Sequence, residues 1–181
     1  MKYDEVFVDE LSAILLKNKA LKNQDISVLK EDFKKRSDIA FEFFLLSEGL
    51  VEKEDLLQAL QEYYKVPAFD VTGEFFNHEL VTMFPKDVLL RYRFIPYEHD
   101  NETLVVVAAT PDDPELLDII GRYVSYDVTM MVGYCIDIEE QIEAFYDKAI
   151  TEESFDQDLR AEHEDERLFE EMTEEKDIRK D

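Results

Sequence analysis

The sequence has no tryptophan, one cysteine and three histidines among 181 residues. The single cysteine, Cys135, excludes an internal disulfide, and we expect a buried thiol because its neighbours are apolar and strand-like. The histidines His78, His99 and His163 lack the mutual spacing of metal ligands. The sequence therefore predicts neither a disulfide framework nor a metal site.

Positive charge and long apolar runs are also scarce. Lys and Arg total 20 against 45 Asp and Glu, so the formal net charge is −25. Nucleic acids and anionic membranes attract concentrated positive charge, and we expect neither as a partner. No segment approaches the roughly 20 apolar residues that cross a membrane, and the N-terminus lacks the basic-then-apolar order of a signal peptide. We expect a cytoplasmic protein without direct membrane insertion.

The clearest positive signal is a β-hairpin. Leu104 to Ala109 is an unbroken aliphatic run of strand length, which predicts a buried strand. Phe94 to Tyr97 should pair with it through a turn at Glu98 to Glu102. Because Pro96 lacks a backbone donor, the partner strand should lie at a sheet edge or contain a bulge.

The N-terminal half reads as helical. Apolar residues at helical spacing predict four helices, Val6–Leu16, Ile26–Arg36, Ile39–Ser47 capped by Ser37 or Asp38, and Glu52–Tyr64. Shifting the sequence by 30 residues places Leu15 on Leu45, Asp25 on Asp55 and Phe33 on Tyr63. This self-similarity predicts two degenerate helix–turn–helix repeats.

The second half mixes helices and strands. Before the hairpin, the pattern predicts a strand Ala68–Val71 and helices Asn77–Phe84 and Lys86–Tyr92. After the hairpin, it predicts a helix Glu115–Val124 capped by Asp112-Asp113-Pro114, a strand Asp127–Cys135, and a helix from Asp137 to Lys148. The fold class is α+β: a helical subdomain over residues 1–66, then a small α/β subdomain over residues 67–150 with a three- to four-stranded sheet. Residues 151–181 read as an acidic tail, disordered or marginally helical.

Two stretches carry a family resemblance. One is Phe-x-x-Phe-Leu-Leu-x-x-Gly-Leu-Val-x-x-x-x-Leu-x-x-x-Leu from Phe41 to Leu60. The other comprises Phe84-Pro85, Tyr92-Arg93-Phe94-Ile95-Pro96, Pro111-Asp112-Asp113-Pro114 and Ile138-Glu139-Glu140-x-Ile142. Together they resemble the N-terminal, MshEN-type domain of type II secretion and type IV pilus assembly ATPases, over about residues 8–148.

The resemblance does not imply an enzyme. In the parent ATPases catalysis lies in a separate C-terminal domain, whose phosphate loop needs a Gly-rich turn followed by Lys and Ser or Thr. None of the four glycines in this sequence is followed by Lys. No nucleophile–base pair stands out either. We expect no catalytic residues and no cofactor.

The resemblance also raises the question of cyclic di-GMP, which some family members bind through tandem Arg-Leu-Gly-x-x-Leu-x-x-x-Gly-x-Ile motifs and a later Gln. The positions of Arg, the two glycines and Gln fall on Glu10, Ser12, Lys19 and Phe33 in the first repeat and on Ala40, Glu42, Gly49 and Tyr63 in the second. Acidic residues thus stand where a dianionic ligand needs positive or neutral groups. Each lost charged hydrogen bond costs about 1.5 to 3 kcal/mol, so we expect no cyclic di-GMP binding.

The prediction is a non-catalytic protein–protein interaction module, an adaptor or regulator whose partner is a secretion, pilus or signalling component. Arg91 and Arg93 flank an aromatic residue in a chain short of positive charge. They form either salt bridges with neighbouring carboxylates or a partner-facing pair. The alternative function is a cyclic dinucleotide-responsive sensor.

Overall fold

The structure is a computed structural model that describes residues 4–21, 26–36 and 39–148. By its contacts the chain divides into one compact unit that ends at Ile142 and a second that begins at Glu143. The predicted acidic tail, residues 151–181, lies outside the described residues. Within the described ranges, no helix has the length and apolar character needed to span a membrane.

Four helices open the chain: α1 Glu5–Lys17, α2 Ile26–Lys34, α3 Phe41–Ser47 and α4 Lys53–Tyr64. Asp4 is the N-cap of α1, because its side chain accepts hydrogen bonds from the backbone N–H groups of Val6 and Phe7. The predicted start of the third helix at Ile39 is wrong. Ala40 is extended, with ψ of 146°, and is the N-cap of α3. The predicted caps Ser37 and Asp38 lie outside the described residues.

The two helical halves repeat the same turn geometry. Lys19 and Gly49, equivalent under the 30-residue shift, both have a φ of 63°. Each is followed by the same backbone bond of 2.9 Å back to the preceding helix, from the N–H of Ala20 to the O of Leu15 and from the N–H of Leu50 to the O of Leu45. This is the bond of a Schellman helix end, which favours glycine at the left-handed position. The predicted repeat is confirmed.

Within the part of the chain that the structure describes, the sheet has three strands in the order β1-β2-β3: β1 Phe94–Asp100, β2 Thr103–Ala108 and β3 Asp127–Val132. β1 and β2 form the predicted antiparallel hairpin, whereas β2 and β3 are parallel. Both expectations for Pro96 are confirmed, since β1 is an edge strand and its register shifts between Pro96 and Glu98. This shift lets β1 continue to Asp100, so the predicted turn over Glu98–Glu102 begins too early.

Helices α5 His78–Val81, α6 Lys86–Tyr92 and α7 Leu116–Ile120 lie between or beside the strands, and residues 135–148 are helical. The α6 bounds are as predicted. Two others are shorter than predicted. α5 ends before Phe84, with Thr82 as its C-cap. α7 spans Leu116–Ile120 with Gly121 as its C-cap, so the predicted end at Val124 is wrong. The Asp113 side chain accepts from the N–H of Glu115 at 2.9 Å just before the helix begins.

Two predicted strands are also shorter. Residues Ala68–Val71 contribute only an isolated parallel bridge, Ala68 to Val132. β3 ends at Val132, and Cys135 already lies in the following helix, so Asp137 is in the first turn of that helix instead of capping it. The buried state predicted for Cys135 is confirmed.

A lysine joins the helical region to the sheet region. The Nζ of Lys53, at the start of α4, lies 2.7 Å from Asp70 Oδ1, 2.7 Å from Thr72 Oγ1 and 2.6 Å from Asp137 Oδ2. Three separate segments therefore meet at one ammonium group. The predicted division at residue 66 stays a prediction, because both regions belong to the same compact unit.

Candidate functional site

The first-repeat motif positions are mostly occupied by side chains that cannot bind an anion. Glu10 is exposed and acidic, and Lys19 is exposed in the left-handed turn. Ser12 is buried, and its Oγ donates to the backbone O of Val8 at 2.6 Å. Phe33 is also buried. Of these four positions only Lys19 presents a cation.

The second-repeat positions lie around the start of α3 and the end of α4. Ala40 is the N-cap of α3, and Glu42 is half-buried in its first turn. Gly49 is exposed in the turn that follows α3. Tyr63 is half-buried and packs edge-on against Phe7, with ring centroids 5.0 Å apart. None of these four side chains carries a positive charge.

The apolar positions of the same motif behave differently. Where the family motif has Leu, Leu and Ile, the two repeats have Leu11, Leu15 and Leu21 and then Phe41, Leu45 and Val51. All six side chains are buried. The positions predicted to be the packing part of the motif are thus buried in both repeats, whereas the replacement of its ligand-contacting part stays a prediction.

Arg93 forms the main charged contact near Glu42. It is the C-cap of α6, with a left-handed φ of 48°, and its Nε donates to Glu139 Oε1. Burial raises the pKa of Glu42, and the positive charge of Arg93 offsets part of that rise. Arg93 therefore forms a salt bridge with Glu139, as one of the two predicted alternatives required. Sequence reasoning missed Glu139 as its partner, because the two residues are 46 positions apart.

Arg91 differs from Arg93. Its side chain is exposed, and the guanidinium lies 5.5 Å from the centroid of the Tyr92 ring, a cation–π arrangement. This contact leaves the charged end accessible to solvent. A partner-facing role for Arg91 stays a prediction.

The groups around Glu42 are unsuited to nucleophilic chemistry. Burial raises the pKa of the Cys135 thiol to about 12, and the nearby Glu42 carboxylate adds to the shift. Burial likewise raises the pKa of Tyr64 and of Tyr134 above the ordinary range. A thiol that stays protonated is a poor nucleophile. Among the described residues, no three or more His, Cys, Asp and Glu side chains are grouped to hold a metal ion.

Glu42 gives the first testable prediction. Because its folded-state pKa is raised, the ionised form destabilises the fold, and this penalty disappears as the pH falls through the raised value towards the ordinary glutamate pKa. We expect Glu42→Gln to raise the melting temperature at neutral pH and to match the wild type in acid. Thermal melts across this pH range check it, with the exposed Glu10→Gln as control. A lower melting temperature for Glu42→Gln at neutral pH would contradict the burial argument.

Part of the chain matches a known domain family and a known pilus protein. The family model described as the MshEN domain matches residues 64–152. The type IV pilus assembly ATPase PilB of Myxococcus xanthus strain DK1622 is 24% identical over 102 residues, which cover 56% of this chain and 18% of PilB. The chain thus spans less than a fifth of that relative.

Two solved structures share the fold. The structure of MshE with cdg (cyclic di-GMP) has a TM-score of 0.59 and 15% identity, covering 75% of this chain and 98% of that one. The N-terminal domain of XpsE has a TM-score of 0.54 and 19% identity, covering 79% and 97%. The predicted α+β fold is confirmed. We expected this chain not to bind cyclic di-GMP, and its likeness to MshE does not support that expectation. The predicted resemblance to the MshEN-type domain is confirmed over residues 64–152.

Proposed function

We propose that this chain is a non-catalytic protein–protein interaction module, an adaptor or regulator that works with components of a secretion or pilus machine. One observation supports the proposal: the apolar positions assigned to the family motif are buried in both repeats, and seven of the eight positions assigned to ligand contacts carry other residues than the motif has. Packing stabilises the shape, whereas the replaced positions determine ligand chemistry. A domain that keeps the first and changes the second keeps its shape without the original ligand contacts.

Charge supports the same proposal. The net charge of −25 repels a dianionic nucleotide and attracts a basic protein surface. Near the second-repeat positions, Arg93 is already paired with Glu139 and lies in the field of Glu42. An incoming phosphate would compete with these carboxylates.

Surface plasmon resonance tests the adaptor role. The chain would be immobilised, and the source organism's pilus or secretion ATPase and the cytoplasmic part of its inner-membrane partner would be passed over it. We expect saturable binding whose association rate falls as salt is raised, because screening shortens the attraction to about 8 Å at physiological ionic strength. If neither component binds at any salt concentration, the adaptor role is wrong.

A second candidate is a cyclic dinucleotide-responsive sensor. It is favoured by the likeness to MshE with cdg and by the left-handed turns retained at Lys19 and Gly49. In this case backbone groups and Lys19 would supply contacts that the motif arginines supply elsewhere. Direct titration with cyclic di-GMP separates the two candidates.

A further inference from the structure

The two outer strands of the sheet differ in how they are protected. β1 carries Pro96, a register shift and exposed polar residues at its end, features that block edge-to-edge pairing. β3 reads Asp-Val-Thr-Met-Met-Val and has no proline, lysine or register shift. Unprotected edge strands accept additional strands readily. The outer edge of β3 is therefore the more receptive of the two.

Hydrogen bonds at both ends of β3 show which residues face β2. The N–H of Asp127 donates to the O of Glu102 at 2.8 Å, and the N–H of Gly133 donates to the O of Ala108 at 3.1 Å. Backbone direction alternates with a period of two along a strand. The odd-numbered residues of β3 therefore direct their N–H and C=O groups towards β2.

The even-numbered residues face outward. Val132 shows this directly, because its N–H donates to the O of Pro67 and its O accepts from the N–H of Phe69, both at 2.8 Å. By the same alternation, Val128 and Met130 point their backbone groups away from β2. Within the ranges that the structure describes, no hydrogen bond reaches those outward groups.

Pro67–Phe69 shows that this edge accepts an added strand. The segment lies parallel to β3 and forms a bridge from Ala68 to Val132. It leaves the edge after Phe69, where Thr72 and Asp70 form the next turn. One end of the edge is thus already extended by a short piece of chain, and the rest is not.

The exposed face of the sheet beside this edge is acidic. The register places Asp100 opposite Thr103 and Thr103 opposite Asp127, and residues directly opposite one another share a face. Asp100, Asp127 and the nearby Glu98 and Thr129 are all exposed. An added strand would set alternate side chains beside Asp127 and Thr129. Lys or Arg at those positions would complement the negative charge.

We propose that an extended segment of a partner protein, with Lys or Arg at alternate positions, adds as a strand to the outer edge of β3 through the backbone of Val128 and Met130. A second copy of the chain is disfavoured as occupant, because each copy has a net charge of −25. This docking role rests on the proposed function and identifies the kind of segment the module takes.

A model peptide tests the docking site directly. The probe is a short acetylated peptide of alternating valine and lysine, and the control peptide has proline in place of each valine. Amide hydrogen exchange by NMR should show fast exchange at Val128 and Met130 in the free protein. We expect the probe, but not the control peptide of equal charge, to slow exchange at these two amides. Unchanged exchange at both amides with saturating probe overturns the proposal.

Two substitutions of Met130 distinguish the contribution of its backbone N–H to peptide binding from that of its side chain. Met130→Pro removes the outward N–H without removing a bond to β2, and proline is tolerated on such edges. Met130→Ala removes the same side chain and keeps the N–H. We expect Met130→Pro to weaken probe binding about tenfold or more and Met130→Ala to bind nearly as the wild type does. Equal binding by the two variants overturns the proposal.

Three further results would distinguish the docking site on β3 from the adaptor role of the whole chain. If sedimentation shows a wild-type dimer that Met130→Pro dissociates, a second copy occupies the edge and the partner assignment is wrong. If Met130→Pro binds the secretion or pilus components as tightly as the wild type, the docking site is wrong while the adaptor role stands. If the probe behaves as expected but no component binds, the adaptor role fails while the strand-accepting edge stands.

Discussion

Val106→Asp is expected to prevent cooperative folding. Val106 is fully buried at 0% exposure in β2, the central strand, paired with Pro96 on one side and Met130 on the other. Burying a carboxylate without a partner costs several kcal/mol, and a domain of this kind has a total stability of about 5 to 15 kcal/mol. Far-UV circular dichroism during heating should show no cooperative transition.

The neighbouring Val105→Asp is the control. Val105 is on the same strand but on the other face, where it is only partly buried. A carboxylate there reaches water, so this variant should fold and melt at a reduced temperature. If Val106→Asp melts cooperatively near the wild-type temperature, β2 is not in the core.

Lys53→Met is expected to destabilise the domain by about 2 to 3 kcal/mol. The side chain of Lys53 is 32% exposed and that of its partner Asp137 only 16%, so removing the ammonium leaves a mostly buried carboxylate. Breaking a fully buried pair costs about 3 to 5 kcal/mol, and partial exposure reduces that figure. Urea denaturation of the purified variants measures the difference.

Lys17→Met is the matched control, because Lys17 pairs with Glu62 at side-chain exposures of 68% and 38%. A surface pair of this kind contributes at most about 1 kcal/mol. Losses of equal size in the two variants would contradict a joining role for Lys53.

The loss of stability caused by Lys53→Met should also depend on pH. Although burial raises the pKa of Asp70, its hydrogen bonds with Lys53 and Thr72 hold that pKa below the ordinary value. The stabilisation from ionised Asp70 is therefore present above the ordinary aspartate pKa and is lost as the pH falls through the lowered value. The gap between wild type and Lys53→Met should narrow in acid.

Local patterns predicted the elements whose partners are near in sequence. The hairpin follows from one aliphatic run and a short turn, and the helical repeat follows from the match of the sequence to itself at a shift of 30 residues. Element boundaries failed at helix ends, as in α7, which ends at Ile120 although the apolar periodicity continues to Val124. Periodicity alone does not mark the residue at which the last helical turn closes.

The charged contacts could not be predicted in the same way. Arg93 and Glu139, and likewise Lys53 and Asp137, meet only because the fold brings distant segments together. In a chain with 45 acidic residues, many carboxylates are equally plausible partners for each cation. Which carboxylate is chosen depends on how the fold brings the start of α4 and the end of α6 to the helix that begins at residue 135, and no local pattern specifies that arrangement.

Titration with cyclic di-GMP tests the central claim most directly, namely that the module keeps the packing of its family motif but not its ligand contacts. The protein would be melted alone and with ligand, beside MshE, whose structure contains cdg, as the positive control. A ligand at 100 times its dissociation constant stabilises a protein by about 2.7 kcal/mol, a shift that is easily measured. We predict an unchanged melting temperature for this chain under conditions that stabilise MshE. An upward shift comparable to that of MshE would contradict the account and establish the sensor function instead.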